Sequence, residues 1–216
     1  MSTVGHGTSR VKRPYDASRR RAGAEASRRR TLEAAERRFL AGGYASTTIG
    51  AIAADAQVSA DSIYKSFGGK PGLIRSIYAD ALRGREPLPA EVRSDEVQRA
   101  ERDPRAILRA FGGFVAELSP RAAPLALLVR SAAQSHPELQ PLVKDIAASR
   151  LRRMTENAQR LAAGGHLRAD VTVERAADVM WLYSAPDLYE LLVLQRGFTL
   201  ERYGEFVADA MIAALI

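Results

Sequence analysis

The sequence contains no cysteine, only three histidines and a single tryptophan. Without cysteine there is no disulfide framework and no thiolate metal site. His6, His136 and His166 stand far apart and none sits in a metal-ligand spacing. No run approaches the ~18 apolar residues of a membrane span, and no apolar signal region opens the chain, so a soluble cytoplasmic protein is expected. A glycine-rich phosphate loop and a nucleophile elbow are both missing. Gly68-Gly69-Lys70 lacks the first glycine and the Ser/Thr that a phosphate loop requires. These absences argue against an enzyme and predict no metal and no cofactor. No period-two alternation and no internal repeat appears, so the expected fold class is all-α.

What the chain does carry is positive charge in one place. Of a net charge of +7, residues 10 to 30 hold nine Arg/Lys against two acids, while the rest of the chain is nearly balanced. Arg10, Lys12, Arg13, Arg19, Arg20 and Arg21 make residues 1–24 a basic arm expected to be disordered. Arg28, Arg29 and Arg30 extend the positive run. An arm of this kind attracts nucleic-acid phosphates or enters a minor groove.

The run directly after it has the periodicity of short helices broken by turns. Thr47 or Thr48 is placed to N-cap a helix whose apolar positions are Ile49, Ile52 and Ala53. Ser59 is a second N-cap, opening a helix in which Ile63 and Phe67, four apart, face inward. Asp61, Ser62, Tyr64 and Lys65 are then left to face outward. Gly68-Gly69 stops this helix, and Pro71 suits the first turn of the next, where Leu73, Ile74, Ile77, Tyr78, Ala81 and Leu82 continue the period.

This pattern of Phe39, Gly43-Tyr44, Thr48, Ile52-Ala53, Ala56, Val58-Ser59, Tyr64, Phe67, Lys70 and Leu73 resembles the DNA-binding domain of TetR-family transcriptional regulators, over residues 27 to 82. Gln57 stands where that family usually has glycine in the turn, and a left-handed Gln costs about 1–2 kcal/mol. The resemblance implies a helix-turn-helix domain at residues 25–70 whose second helix enters the major groove. The residues it implies at DNA are Arg28, Thr47, Thr48, Ser59, Ala60, Asp61, Ser62, Tyr64, Lys65 and Lys70. Asp61 has a second reading, as a first-turn carboxylate complementing the helix dipole.

Residues 71–216 read as a larger helical domain. The stretch from Gly84 to Asp103, with Pro87 and Pro89, is expected to be a loop or a broken helix. Asp103-Pro104 opens a helix expected to end at Ser119-Pro120, followed by another from Pro124 to about Ser135. A long helix should run to Ala163 and stop at Gly164-Gly165. Thr172 caps the next, which Pro186 should kink, and Thr199 caps the last. Trp181, Tyr183, Leu188, Tyr189, Leu191, Leu192, Leu194, Phe198, Phe206 and Val207 form an apolar surface wide enough for a partner.

By resemblance, the last two helices pair with a second copy, and the middle helices enclose a small-molecule effector. Polar candidates for that site are Arg109, Arg130, His136, Trp181 and Tyr183. Gly112-Gly113, Ala122-Ala123 and Ala132-Ala133 fit either room for a ligand or close helix packing. The function expected is a ligand-responsive regulator, a repressor binding palindromic operator DNA as a homodimer and released by its effector. The alternative is an architectural DNA-binding protein with no effector.

Overall fold

The computed structural model describes residues 17–216, all helix and connecting turn with no strand among them. The first helix, α1, spans Ala17–Ser46, with Gly43 at φ 79 bending its end. Its alanine- and arginine-rich start is strong helix former, so residues 17–24 are helix and not loose arm. Arg20 and Arg21 lie exposed on it. Arg10, Lys12 and Arg13 lie outside the described residues.

Two short helices follow, α2 (Ile49–Ala56) and α3 (Ala60–Phe67). The Thr48 hydroxyl caps α2 by accepting from Ala51 N at 3.1 Å, and Ser59 caps α3 by accepting from Ser62 N at 3.2 Å. The turn between them places Gln57 at φ 56 and ψ 48, left-handed as the turn demands. Its cost is offset nearby: Arg30 Nε donates to the Ala56 carbonyl at 3.2 Å, satisfying the end of α2 from α1. Next comes α4 (Lys70–Arg83), with Pro71 in its first turn.

Phe39, Ile52, Ile63, Leu73, Ile74 and Ile77 pack at the centre of these four helices, each fully buried. Burial on this scale is worth about 1.5–3 kcal/mol per large side chain. The same core continues without a break into Leu125, Val129, Leu139 and Leu142 of the larger domain. Arg121 reinforces the junction, reaching Glu36 of α1 at 2.8 Å and Asp80 of α4 at 3.2 Å.

The larger domain contains α5 (Ala90–Ala100), α6 (Pro104–Ala132), α7 (Gln140–Ala163), α8 (Val173–Tyr183), α9 (Pro186–Tyr189) and α10 (Leu200–Leu215). A 3-10 turn, Pro137–Leu139, leads into α7, and a π-wound stretch, Glu190–Gln195, extends α9. Two expectations are corrected here. Residues 90–100 form three regular turns, because Arg93 pairs with Glu117 of α6 at 2.6 Å and Asp95 with Arg153 of α7 at 2.6 Å. And α6 does not stop at Pro120 but runs through it and Pro124. An interior proline costs about 3 kcal/mol. Ala122, Ala123, Leu125, Ala126 and Val129, all buried beyond Pro120, outweigh it.

A second core gathers Leu108, Leu161, Met180, Tyr203, Val207 and Met211. Here the small residues serve close packing: α6 and α10 cross at Gly112 and Gly204, where a Cβ on Gly112 would run into the Gly204 carbonyl oxygen. Gly113 faces open space. No helix of the described residues is long and apolar enough to cross a membrane.

Candidate nucleic-acid interface and the cavity behind it

The exposed side of α3 presents Asp61, Ser62, Tyr64, Lys65 and Ser66 together, while Ile63 holds the helix to the core. Tyr64 is 55% exposed, a large ring left in solvent beside a cation. Ser59 and Ser62 are tied to each other, Oγ to Oγ at 2.9 Å. Ala60, half-buried, contributes backbone at the start of α3. Thr48 is exposed and spends its hydroxyl on the cap of α2. Asp61 lies in the first turn of α3, where its charge complements the helix dipole.

Three of the residues expected at DNA have inward commitments. Thr47 is buried, its hydroxyl bonded to the carbonyls of Gly43 at 2.8 Å and Arg38 at 3.1 Å. Arg28 lies over the Phe67 ring, 5.0 Å from its centre. Lys70 donates from Nζ to the Tyr44 carbonyl at 2.8 Å and sits 4.1 Å above the Tyr44 ring. A shallow hollow at the edge of this face is lined by Tyr44, Thr48, Tyr64, Lys70 and Glu138 among others.

Behind the helix-turn-helix lies a cavity of about 380 Å³, within the size range of small-molecule sites. Its walls come from α4 (Tyr78, Leu82), α5 (Ala90, Ser94), α6 (Phe111, Phe114, Leu118), α7 (Ile146, Arg150, Met154) and the α8–α9 corner (Ser184, Pro186). The lining surface is mostly apolar, and its polar residues gather chiefly on α7, where Ser149, Arg150, Arg152, Arg153, Glu156 and Asn157 border it.

None of Arg109, Arg130, His136, Trp181 and Tyr183 is among the residues that line it. Arg109 lies in a surface groove between α6 and α10. Arg130 is forked onto Asp187 at 2.8 and 2.9 Å, which holds the Asp187 carboxyl below its usual value. His136 meets the Tyr44 ring edge-on at 4.9 Å and lies 3.7 Å from Glu138. Tyr183 packs against the second core. Trp181 stands one layer back, beneath the Arg150 guanidinium. Polar residues that do line it, outside those candidates, include Arg150, Arg153 and Asn157. A signal for Arg150 existed: it falls midway between Ile146 and Met154 at steps of four, on the apolar stripe of α7.

The apolar surface is narrower than expected, because Tyr189, Leu192, Phe198 and Val207 are buried within the chain. Of that expected surface Leu191, Leu194 and Phe206 stay exposed, and Leu182 of α8 and Leu200 of α10 are exposed as well.

Residues 32–77 match the sequence profile of the family described as bacterial regulatory proteins, tetR family. None of the curated proteins matches the chain significantly. Among solved structures, a TetR-family transcriptional regulator from Syntrophomonas wolfei superposes with a TM-score of 0.70 at 19% identity, over 87% of this chain and 94% of that one. The fatty acid degradation regulator FadR from Bacillus halodurans gives 0.69 at 16%, over 86% and 94%. FadR from Bacillus subtilis, in complex with stearoyl-CoA, gives 0.66 at 17%, over 87% and 99%. The chain thus carries the tetR-family sequence profile over its helix-turn-helix region, residues 32–77, and shares over most of its length the all-helical fold of solved TetR-family regulators.

Proposed function

We propose that this protein is a ligand-responsive repressor that binds a palindromic operator as a homodimer and lets go when a small molecule fills the cavity. One observation carries the reading. Helix α4 belongs to both sites: Leu73, Ile74 and Ile77 pack in the core that holds α3, while Tyr78 and Leu82, one turn on, form a wall of the cavity. A ligand that moves α4 therefore moves the α3 of each subunit, and the spacing of two such helices sets the fit to two half-sites.

Ser62, Tyr64 and Lys65 are the groups for base edges and phosphates, with Thr48 and Ser59 presenting helix N-termini to the backbone. Arg20, Arg21 and Arg28 add non-specific attraction. The exposed leucines and Phe206 form the dimer face. Two similar structures support an effector and a repressor role. One is the Bacillus subtilis FadR bound to stearoyl-CoA, the other the secondary repressor NalD of an efflux pump in Pseudomonas aeruginosa.

The cavity favours this reading over an architectural DNA-binding protein, which has no use for one. A thermal-shift screen followed by operator titration tests it. A compound that stabilises the full-length protein should release it from the operator. Binding that no stabilising compound alters would leave the architectural role.

A further inference from the structure

The cavity has one half-buried charged group with no counter-charge among the described residues. Arg153 donates from Nη2 to Asp95 at 2.6 Å and lies 3.6 Å from Glu156 and 3.9 Å from Glu91. Oδ1 of Asn157 accepts from Gln98 Nε2 at 3.1 Å and from Arg160 Nη1 at 3.3 Å. Arg152, on the exposed side, is bonded to Ser149 at 2.8 Å. Arg150 differs from Arg153 in lacking a carboxylate partner, and from Arg152, which also lacks one among the described residues, in being half-buried. Among the described residues no carboxylate comes within ion-pair distance of it. Asp187, whose charge it feels, is already forked onto Arg130.

The protein nevertheless fixes Arg150 with care. Its guanidinium lies 4.3 Å above the centre of the Trp181 ring. One nitrogen, Nη1, donates to both the Trp181 carbonyl and Ser184 Oγ. These contacts orient the guanidinium plane and use one corner of it. Nε and Nη2 donate to no protein group among the described residues. That free edge is the one whose two parallel N–H groups match a carboxylate. Tyr78, across the cavity wall on α4, lies near enough for the Arg150 charge to act on it, and its hydroxyl too has no protein partner among the described residues.

Burial pulls the Arg150 guanidinium below its ordinary value, with Tyr78 and Asp187 opposing. Arginine stays protonated regardless. A half-buried cation held by a carbonyl, a hydroxyl and a ring face has paid desolvation without an ion-pair return. A neutral ligand would deepen that burial and return nothing. A cationic ligand would meet Arg150 directly, and the nearest lining carboxylates, Glu91 and Glu156, are largely exposed and already lie within ion-pair distance of Arg153.

We propose that the cavity binds a small amphipathic carboxylate, its headgroup docked on the free edge of Arg150 and its alkyl or aryl body against Phe111, Phe114, Leu118 and Met154. The proposal rests on the reading of this cavity as the effector site and names the chemistry of that effector. It also explains how occupancy reaches DNA: a carboxylate at Arg150 lies beside Tyr78, hence on α4 itself.

Trp181 is the only tryptophan, so its fluorescence reports on Arg150 in the full-length protein. The probes are decanoate, decan-1-ol and decyltrimethylammonium, which share a chain and differ in charge. Decanoate should change Trp181 emission and bind roughly 10- to 100-fold more tightly than the alcohol, the value of charge-assisted hydrogen bonds. The ammonium probe should bind least. Arg150→Gln should erase the preference, bringing decanoate and decanol to similar affinity. Arg150→Lys, which keeps the charge but loses the fork, should retain part of it and serves as the measurement if the glutamine variant does not fold.

Equal affinity of decanoate and decanol for the wild type overturns the proposal. So does undiminished decanoate binding by the Arg150 variants, or failure of every acid from octanoate to dodecanoate, and of 4-phenylbutyrate, to bind at millimolar concentration. Arg150-dependent decanoate binding that leaves operator affinity unchanged would instead uphold this site and overturn the effector reading.

Discussion

The hydroxyl of Tyr44 donates to Oε1 of Glu138 at 3.1 Å, across 94 residues of sequence. Tyr44 closes the end of α1 against the helix-turn-helix; Glu138 sits in the turn that starts α7, the helix that carries Arg150. Lys70, on the Tyr44 ring, and His136, against its edge, complete a four-residue contact between the DNA-reading unit and the larger domain. Burial, then the bond to Glu138, raises the Tyr44 phenol above its ordinary value. This is a second junction, besides the core shared by α4, between the helix-turn-helix and the larger domain.

Tyr44→Phe keeps the ring and loses the bond. It should cost about 0.5–1.5 kcal/mol of stability, read as a lower denaturation midpoint. Operator affinity without ligand should stay near wild type, and the ligand-induced loss of affinity should shrink. Unchanged ligand-induced release in this variant would show that the contact is structural only.

Lys65 and Lys70 should behave differently. Lys65 is exposed on α3, so Lys65→Ala should lower operator affinity and flatten the salt slope by roughly one unit with no change in melting. Lys70 holds Tyr44 as well, and Lys70→Ala should also destabilise the fold, by about 1–2 kcal/mol. Melting curves alongside binding at several salt concentrations separate the two; equal melting of both variants would contradict the inward role of Lys70.

Gly112→Ala should destabilise by about 1–3 kcal/mol, because the added methyl forces α6 and α10 apart. Gly113→Ala, one residue on, adds its methyl to open space and should be neutral or stabilising by up to about 1 kcal/mol. Thermal denaturation of the pair checks the helix crossing directly.

Leu194 is 58% exposed and Phe206 42%. Leu194→Glu with Phe206→Glu should give a folded monomer in sedimentation and a large loss of operator affinity, since a single α3 reads only half a site. A dimer that survives the double change would move the interface elsewhere.

Asp187 provides the pH test. Its carboxyl is held below the ordinary 3.8 chiefly by the hydrogen bond from Arg130. A depressed carboxylate contributes stability that is present above its unfolded value and is lost as pH falls through the folded one. The melting difference between wild type and Asp187→Asn should be constant from neutral pH to about pH 4 and close below it. A difference that persists undiminished at the acid end would mean the fork is not what Asp187 supplies.

The local features of this fold were legible because their physics is local. Thr48, Ser59, Asp103, Thr172 and Thr199 each cap a helix by accepting from a backbone N–H two or three residues on, so the cap and its target appear in one short window of sequence. The left-handed Gln57 was legible as a departure from glycine. What was not legible depends on distant partners. Pro120 reads as a stop until the buried residues beyond it are known. The helix at residues 90–100 needs Glu117 and Arg153 to hold it. Arg150 looks like one more cation in an arginine-rich stretch, and only Trp181, 31 residues away, sets it apart. Tyr189, Leu192, Phe198 and Val207 read as surface because the tight crossing at Gly112 and Gly204, which draws α10 onto α6, cannot be seen in either helix alone.

Selection of bound sequences from random duplex DNA by the full-length protein, with footprinting of the winners, tests most directly whether two copies of α3 read an operator together. The expected outcome is a two-fold symmetric site with half-sites one helical turn apart, roughly 34–36 Å, or a multiple of it, protected by an even number of chains. Recovery of only asymmetric, single half-sites, or of no sequence preference at all, would contradict it.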